Sequence, residues 1–359
     1  MHERRSYLVI VGARPNFIKA APLFRRALEY PDLDFTLVHT GQHFDDNMSK
    51  IFFEEMGIPK PDIHFDIKAE YHTEKIGKMF TALKEVVNDP KYTGVIVFGD
   101  VNSTLAGAIA SSSHSKKLIH IESGLRSHDR RMPEEINRAV TDHLSDLLLV
   151  TELAGVDNLI LEGIAPEKIS LVGNMMIESI ELFRETFTES KILEDLNLTR
   201  KEYVVATLHR VENTDEKKIL HKLLVTLQEV AKKYVVVFPM HPATKNRIID
   251  YGLDIYLEGL MIIDPVGYID FMKLIIDAQG VVTDSGGIQE ESSHLGVPCC
   301  TLRDNTERPV TVSHGSNKLF PINSLNSEEM INHLSRCDFV PASIPYWDSG
   351  VSKRILDLL

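Results

Sequence analysis

Short apolar runs rich in Val, Ile and Leu recur along the chain and alternate with longer stretches of helical periodicity. The runs fall at residues 7–11, 35–39, 94–98, 118–121 and 147–150 in the first half. In the second half they fall at 203–208, 234–238, 261–263, 280–283 and 298–302. Runs this short and this β-branched predict strands buried on both faces of a parallel sheet. Helical stretches stand between them. One follows the first strand to about residue 30, one covers 73–87, one opens at Asn102 and one opens after Pro133. In the second half one runs to Lys233, one begins near Tyr268, and an amphipathic one closes the chain at 350–359. Strictly alternating strands and helices predict an α/β chain of two doubly wound, Rossmann-like domains facing across a cleft. The pattern divides it into residues 1–173, residues 174–340, and a last helix within 341–359 that packs back on the first domain. The polar segment 187–200 is expected to be a surface helix and loop.

Length and charge sharpen this picture. A chain of 359 residues is too long for one core, and 43% hydrophobic with 25% charged residues is ordinary for a globular protein. The net charge of −13 argues against a nucleic-acid or anionic-membrane partner, since both need a basic face. The three cysteines, Cys299, Cys300 and Cys337, form no CxxC pair, which points to reduced thiols in a cytoplasmic protein without a zinc site. No apolar run is long enough to span a bilayer.

Candidate chemistry collects at strand ends. Gly99-Asp100 follows one strand, Glu122 follows the next, and Glu134 opens a helix after Pro133. Each alone fits a helix cap or a solvated turn. Three acids near one strand-end crevice point instead to proton transfer. The loop Gly12-Ala13-Arg14-Pro15, with Lys19 beyond it, leads from the first strand into a helix, whose N-terminus favours anions. His43 follows the second strand. In the second half, Asp284-Ser285-Gly286-Gly287 lies at a strand-to-helix junction, where open backbone amides suit a phosphate. Glu291 lies further along that helix, where it can accept from ribose hydroxyls. His209-Arg210 ends another strand and can serve a leaving diphosphate. Phe271 fits a helix core face or a nucleobase stack.

Taken in order, these motifs resemble a known family. Gly12-Ala-Arg14-Pro15, Gly41-Gln42-His43, Gly99-Asp100, His120-Ile-Glu122-Ser-Gly-Leu-Arg126 and Pro133-Glu134-Glu135-Ile-Asn137-Arg138 come first. Gly173-Asn174, His209-Arg210, His241-Pro242, residues 283–291 and Arg303-Asp-Asn-Thr306-Glu307-Arg308-Pro309 complete the set. Together they are similar to the non-hydrolysing UDP-N-acetylglucosamine 2-epimerases.

The resemblance implies the glycosyltransferase-B architecture, a homodimer, a UDP-sugar substrate, and no metal or other cofactor. It implies Asp100, Glu122, Glu134 and His209 as catalytic groups. It also implies Arg14, Lys19, Arg138, Arg210, His241, Phe271, Ser285, Gly286, Gly287, Glu291 and Arg308 as substrate contacts. Three departures are visible: Ser123 where Ala is usual, Glu178 where Asp usually follows Gly-Asn, and residues 314–317 in place of a Gly-Thr turn. Many members bind a second, activating UDP-GlcNAc. Here Asp45 and Asp46 lie where basic or amide residues are usual, and residues 67–70 lack an arginine, so weak or absent activation is expected. A relative that hydrolyses its substrate or acts on a diacetamido-uronate sugar shares most of these motifs, and a glycosyltransferase shares the scaffold but needs an acceptor.

Overall fold

A computed structural model of the chain describes residues 4–41, 57–67 and 71–359, the side chains of Arg14 and His72 excepted. The chain divides into two compact units, Met1–Leu182 with Pro345–Leu359, and Phe183–Ile344.

The first unit is built on a parallel sheet of β1 (Arg5–Val11), β2 (Leu33–His39), β3 (Ile63–His64), β4 (Tyr92–Phe98), β5 (Lys117–Ser123), β6 (Leu147–Val150) and β7 (Ile169–Leu171). Its order is β3-β2-β1-β4-β5-β6-β7, so the winding reverses between β1 and β4. The carboxyl ends flanking such a switch point are where open α/β sheets bind ligands. Here those ends carry the Gly12 loop and Gly99-Asp100. Helices α1 (Arg14–Ala27), α2 (His72–Val87), α3 (Asn102–Ser113) and α4 (Pro133–Leu144) connect the strands. Small residues let α3 lie close to the sheet: a Cβ at Gly107 would come within 2.9 Å of Ile10 Cδ1 and 3.0 Å of Val97 Cγ1. Leu8, Ile10, Val38, Met79, Leu83, Val95 and Val97 form the core under these helices.

The second unit repeats the plan with β8 (Tyr203–Thr207), β9 (Val235–Pro239), β10 (Met261–Ile263), β11 (Gly280–Thr283), β12 (Cys299–Thr301) and β13 (Asn317–Leu319). The order is β10-β9-β8-β11-β12-β13, reversing between β8 and β11. His209-Arg210 and Asp284–Gly287 follow those two strands. Leu220, Leu223, Leu224 and Leu227 of helix α5 (Lys217–Ala231) pack on Val204, Val236 and Phe238. Helices α6 (Tyr268–Asp277) and α7 (Gly286–Leu295) bracket β11.

Several expectations need correction. Strands β3, β7 and β13 have no counterpart among the apolar runs, because each is only two or three residues long and carries a polar residue that breaks the apolar pattern. The first unit extends beyond residue 173. The helix Met175–Leu182 stays with it: Ser179 Oγ donates to the Ile18 carbonyl at 2.7 Å, and Glu178 accepts from Ser352 Oγ at 2.6 Å. The segment 187–200 is not all surface. Phe187 is buried and packs edge-on against Tyr268, with ring centroids 5.8 Å apart. The closing helix is confined to Val351–Leu356, and the Leu359 carbonyl accepts from the Tyr7 hydroxyl at 2.8 Å.

Candidate active site

In the first unit the candidate acids gather at the ends of β4 and β5. Gly99 turns the chain with φ +60, in the left-handed region that glycine enters without strain. Its amide donates to the Ile121 carbonyl at 2.9 Å, tying the turn to the neighbouring strand. Glu122 itself has φ +70, and the pairing of β5 with β6 shifts register between Ile121 and Ser123. The strand therefore continues past the point where the apolar run stops, and Glu122 sits in its bulge. A left-handed backbone at a non-glycine residue costs energy and often marks a functional position. Glu122 is buried and ion-paired with buried Lys19 of α1. A Cβ at Gly99 would lie 3.6 Å from Glu122 Oε2 and 3.7 Å from Lys19 Nζ, so the turn, the carboxylate and the ammonium are neighbours.

Asp100 is held from α4. Arg138, among the most deeply buried side chains, donates to Asp100 Oδ2 through Nη2 at 2.5 Å and Nε at 3.2 Å. Asn137 Nδ2 donates to the Asp100 carbonyl at 2.8 Å. Arg138 also pairs with Glu135, which accepts from the Ser127 amide and hydroxyl. The helix-capping alternative fails for both outer acids. The cap of α3 is Val101, the cap of α4 is Met132, and neither helix has a side-chain cap. Glu134 is half-buried in the first turn of α4, where the helix dipole favours its negative charge.

Beneath this turn lies a polar relay that the motif reading did not single out. Buried His120 reaches Asp142 through Nδ1 at 2.6 Å and the Gly99 carbonyl through Nε2 at 2.7 Å. Asp142 also takes Arg126 Nη1 at 2.7 Å and the Gly124 amide at 3.1 Å. Burial alone would push the Asp142 carboxyl up, but His120 and Arg126 hold it below its ordinary value. The signal in the sequence was a histidine inside an apolar strand, which periodicity cannot distinguish from a filler.

In the second unit the residues that the sequence marks as phosphate candidates follow β11. Ser285 caps α7 by backbone geometry alone, and its amide donates to Thr283 Oγ1 at 3.0 Å. Gly286 is buried against Arg308. A Cβ there would come within 2.7 Å of Arg308 Nη1 and 2.9 Å of Glu307 Oε1. Its φ is not positive, so the glycine is required for space rather than for its backbone angles. Arg308 is clamped between Glu290 and Glu307, each at 2.8 Å. Arg303 pairs with Glu307 at 2.8 Å, and Arg210 approaches it at 3.6 Å. Glu291 is buried on α7. Gly287 and Phe271 are half-buried, so Phe271 is not one of the buried core side chains.

His209 is exposed, and its Nδ1 lies 2.9 Å from buried Asp284 Oδ1. His241 caps the helix Pro242–Asp250, accepting from the Ala243 amide at 3.2 Å. Desolvation, and then repulsion from His209, push its pKa down.

The structure thus groups Lys19, Asp100, Glu122 and Arg138 in one unit, and Arg210, Gly286 and Arg308 in the other. The Arg14 side chain, His43, residues 44–47 and residues 68–70 lie outside the described residues. Among the described residues no group of three or more His, Cys, Asp or Glu could hold a metal ion. Among the described residues no helix is long and apolar enough to cross a membrane.

Comparison with known proteins bears on the family and the fold. A family model described as UDP-N-acetylglucosamine 2-epimerase matches residues 26–359. A UDP-N-acetylglucosamine 2-epimerase of Methanococcus maripaludis is 40% identical, over 98% of this chain and 97% of the relative. A UDP-2,3-diacetamido-2,3-dideoxy-D-glucuronate 2-epimerase of Pseudomonas aeruginosa is 43% identical, over 87% of each chain. The crystal structure of Methanocaldococcus jannaschii UDP-GlcNAc 2-epimerase in complex with UDP-GlcNAc and UDP superposes with a TM-score of 0.90. It is 36% identical, and the match covers 98% of this chain and 99% of that one. Two parallel sheets wound this way, carrying these residues at their switch points, make the chain a member of the UDP-N-acetylglucosamine 2-epimerase family.

Proposed function

We propose that the protein interconverts UDP-N-acetylglucosamine and UDP-N-acetylmannosamine without hydrolysis, by eliminating UDP and adding it back. No carbonyl acidifies C2, so its proton cannot leave alone. As a base removes that proton, the C1–O bond to UDP breaks, leaving 2-acetamidoglucal and UDP. Re-addition delivers a proton to the opposite face of C2 and returns UDP to C1. The reaction needs two proton-transfer groups, stabilisation of positive charge at C1, and cations for the diphosphate.

The observation that carries this reading is the strand-end group of Asp100, held by Arg138, and buried Glu122, held by Lys19. Glu134 completes the set of acids. The reaction needs one group to take a proton and another to give one, and carboxylates in different environments can fill the two roles. Arg14, Arg210, His241, Ser285, Gly286, Gly287 and Arg308 are assigned to the UDP moiety, Glu291 to the ribose and Phe271 to the base. His209 exchanges a proton with the departing diphosphate. The enzyme is read as a cytoplasmic homodimer that supplies polysaccharide precursors.

A second reading, a diacetamido-uronate UDP-sugar as substrate, is favoured by the 43% identity to the Pseudomonas enzyme. Proton NMR of the purified protein with each UDP-sugar separates the two. Accumulation of UDP-ManNAc from UDP-GlcNAc, with no free sugar, is expected. Turnover of only the uronate sugar assigns the second reading, and release of free N-acetylmannosamine assigns a hydrolysing enzyme.

A further inference from the structure

His209 and Asp284 stand just past β8 and β11, the two strands that flank the second unit's switch point. Asp284 is fully buried. It accepts from the His209 amide at 3.1 Å, the Arg210 amide at 3.0 Å and Asn213 Nδ2 at 3.1 Å. His209 Nδ1 is the fourth neighbour, at 2.9 Å. The first three are fixed donors, so the carboxylate serves as an acceptor throughout. Burial pushes its carboxyl up, but the bonds from His209, Arg210 and Asn213 outweigh that and hold it below its ordinary value. A charged carboxylate has no proton to give, so the hydrogen between it and His209 belongs to Nδ1. In the neutral ring, Nε2 is then left with its lone pair, on a side chain 48% exposed.

We propose that Asp284 is a positioning residue that locks His209 in the Nδ1–H tautomer, so that the ring exchanges a proton with substrate through Nε2 alone. The inference rests on the reading of His209 as a proton-transfer group. Neutral His209 then presents an acceptor at Nε2, and the protonated ring presents a donor there. The same carboxylate fixes the amides of residues 209 and 210, so ring orientation and strand-end backbone are set by one group. A carboxylate behind a working imidazole acts on tautomer and orientation without itself taking the proton.

The native protein supplies the first test. Nitrogen-15 NMR on histidine-labelled protein at pH 9, with the signal identified by its loss in His209→Gln, should show Nδ1 protonated and Nε2 bare. An Nε2–H tautomer overturns the proposal. The second test is Asp284→Asn. Its amide can donate to Nδ1 and so favour the Nε2–H tautomer. Turnover should fall by roughly a hundredfold or more while UDP affinity changes little. The His209 signals should switch to the Nε2–H pattern. A merely structural aspartate would lower affinity and stability without moving the tautomer, and that result also overturns the proposal. If Asp284→Asn does not fold, the native spectrum still decides. Full turnover in His209→Gln removes the assigned role of His209 itself. Lost turnover in that variant with an Nε2–H native tautomer removes only the role of Asp284.

Discussion

Gly286→Ala is the sharpest perturbation of the nucleotide assignment, because the structure states what the added methyl meets. Its Cβ would stand 2.7 Å from Arg308 Nη1 and 2.9 Å from Glu307 Oε1. An ordinary contact begins near 3.4 Å, so the guanidinium must retreat by about 0.7 Å in a close-packed site. On a mobile surface arginine that would cost little. Arg308 is buried and clamped at 2.8 Å to both Glu290 and Glu307, so it cannot move without loosening those pairs. Overpacking of this kind costs about 1–3 kcal/mol of stability. If Arg308 serves the diphosphate, the displaced charge-assisted bond costs about 1.5–3 kcal/mol of binding, or roughly 10- to 150-fold in UDP affinity. Titration calorimetry with UDP measures the affinity, and thermal unfolding of the same sample confirms that the variant is folded. A folded variant with the parent's UDP affinity would refute the assignment of the Gly286–Arg308 corner to the phosphates.

The remaining predictions concern the first unit and regulation. Asp100→Asn, Glu122→Gln and Glu134→Gln should each lower turnover about a hundredfold or more, as loss of an acid or base does, and leave UDP binding intact. Near-parental turnover in all three sinks the site. Asp142→Asn should destabilise by about 3–5 kcal/mol at neutral pH, because it breaks a buried network of charged partners. The Asp142 carboxyl is held below its ordinary 3.8 in the folded protein, so its contribution is fully present above that value and lost as pH falls through the lower folded pKa. Urea unfolding should give a constant difference between parent and variant down to about pH 4 and a shrinking one below it; a difference that grows on acidification contradicts the network. A time course from pure UDP-ManNAc should show no lag, given the acids at 45 and 46. A lag abolished by a trace of UDP-GlcNAc means an activator site exists.

Most of the long strands were legible because a doubly wound sheet buries both strand faces, leaving runs such as Val95–Phe98 apolar throughout. The short strands Ile63–His64 and Asn317–Leu319 were not, since each carries polar residues in place of an apolar run. Glu122 could be placed at a strand end, but its bulge and left-handed backbone depend on pairing with β6, which no local pattern encodes. The acids and glycines were visible as residue types. Their partners were not: Lys19 meets Glu122 across 103 residues, and Arg138 meets Asp100 across 38. The sequence places Lys19 among the anion contacts beside a helix N-terminus, and only the fold shows that its immediate partner is the Glu122 carboxylate. Such pairings arise only when separate strand ends are brought together.

In the proposed reaction, proton exchange at C2 is coupled to loss and return of UDP. It is tested most directly by incubating the purified protein with UDP-GlcNAc in deuterated water and reading the C2 position by NMR. Deuterium is expected at C2 of the UDP-ManNAc formed, because the base trades its proton with solvent between elimination and re-addition. UDP-ManNAc that keeps the original hydrogen at C2 contradicts it.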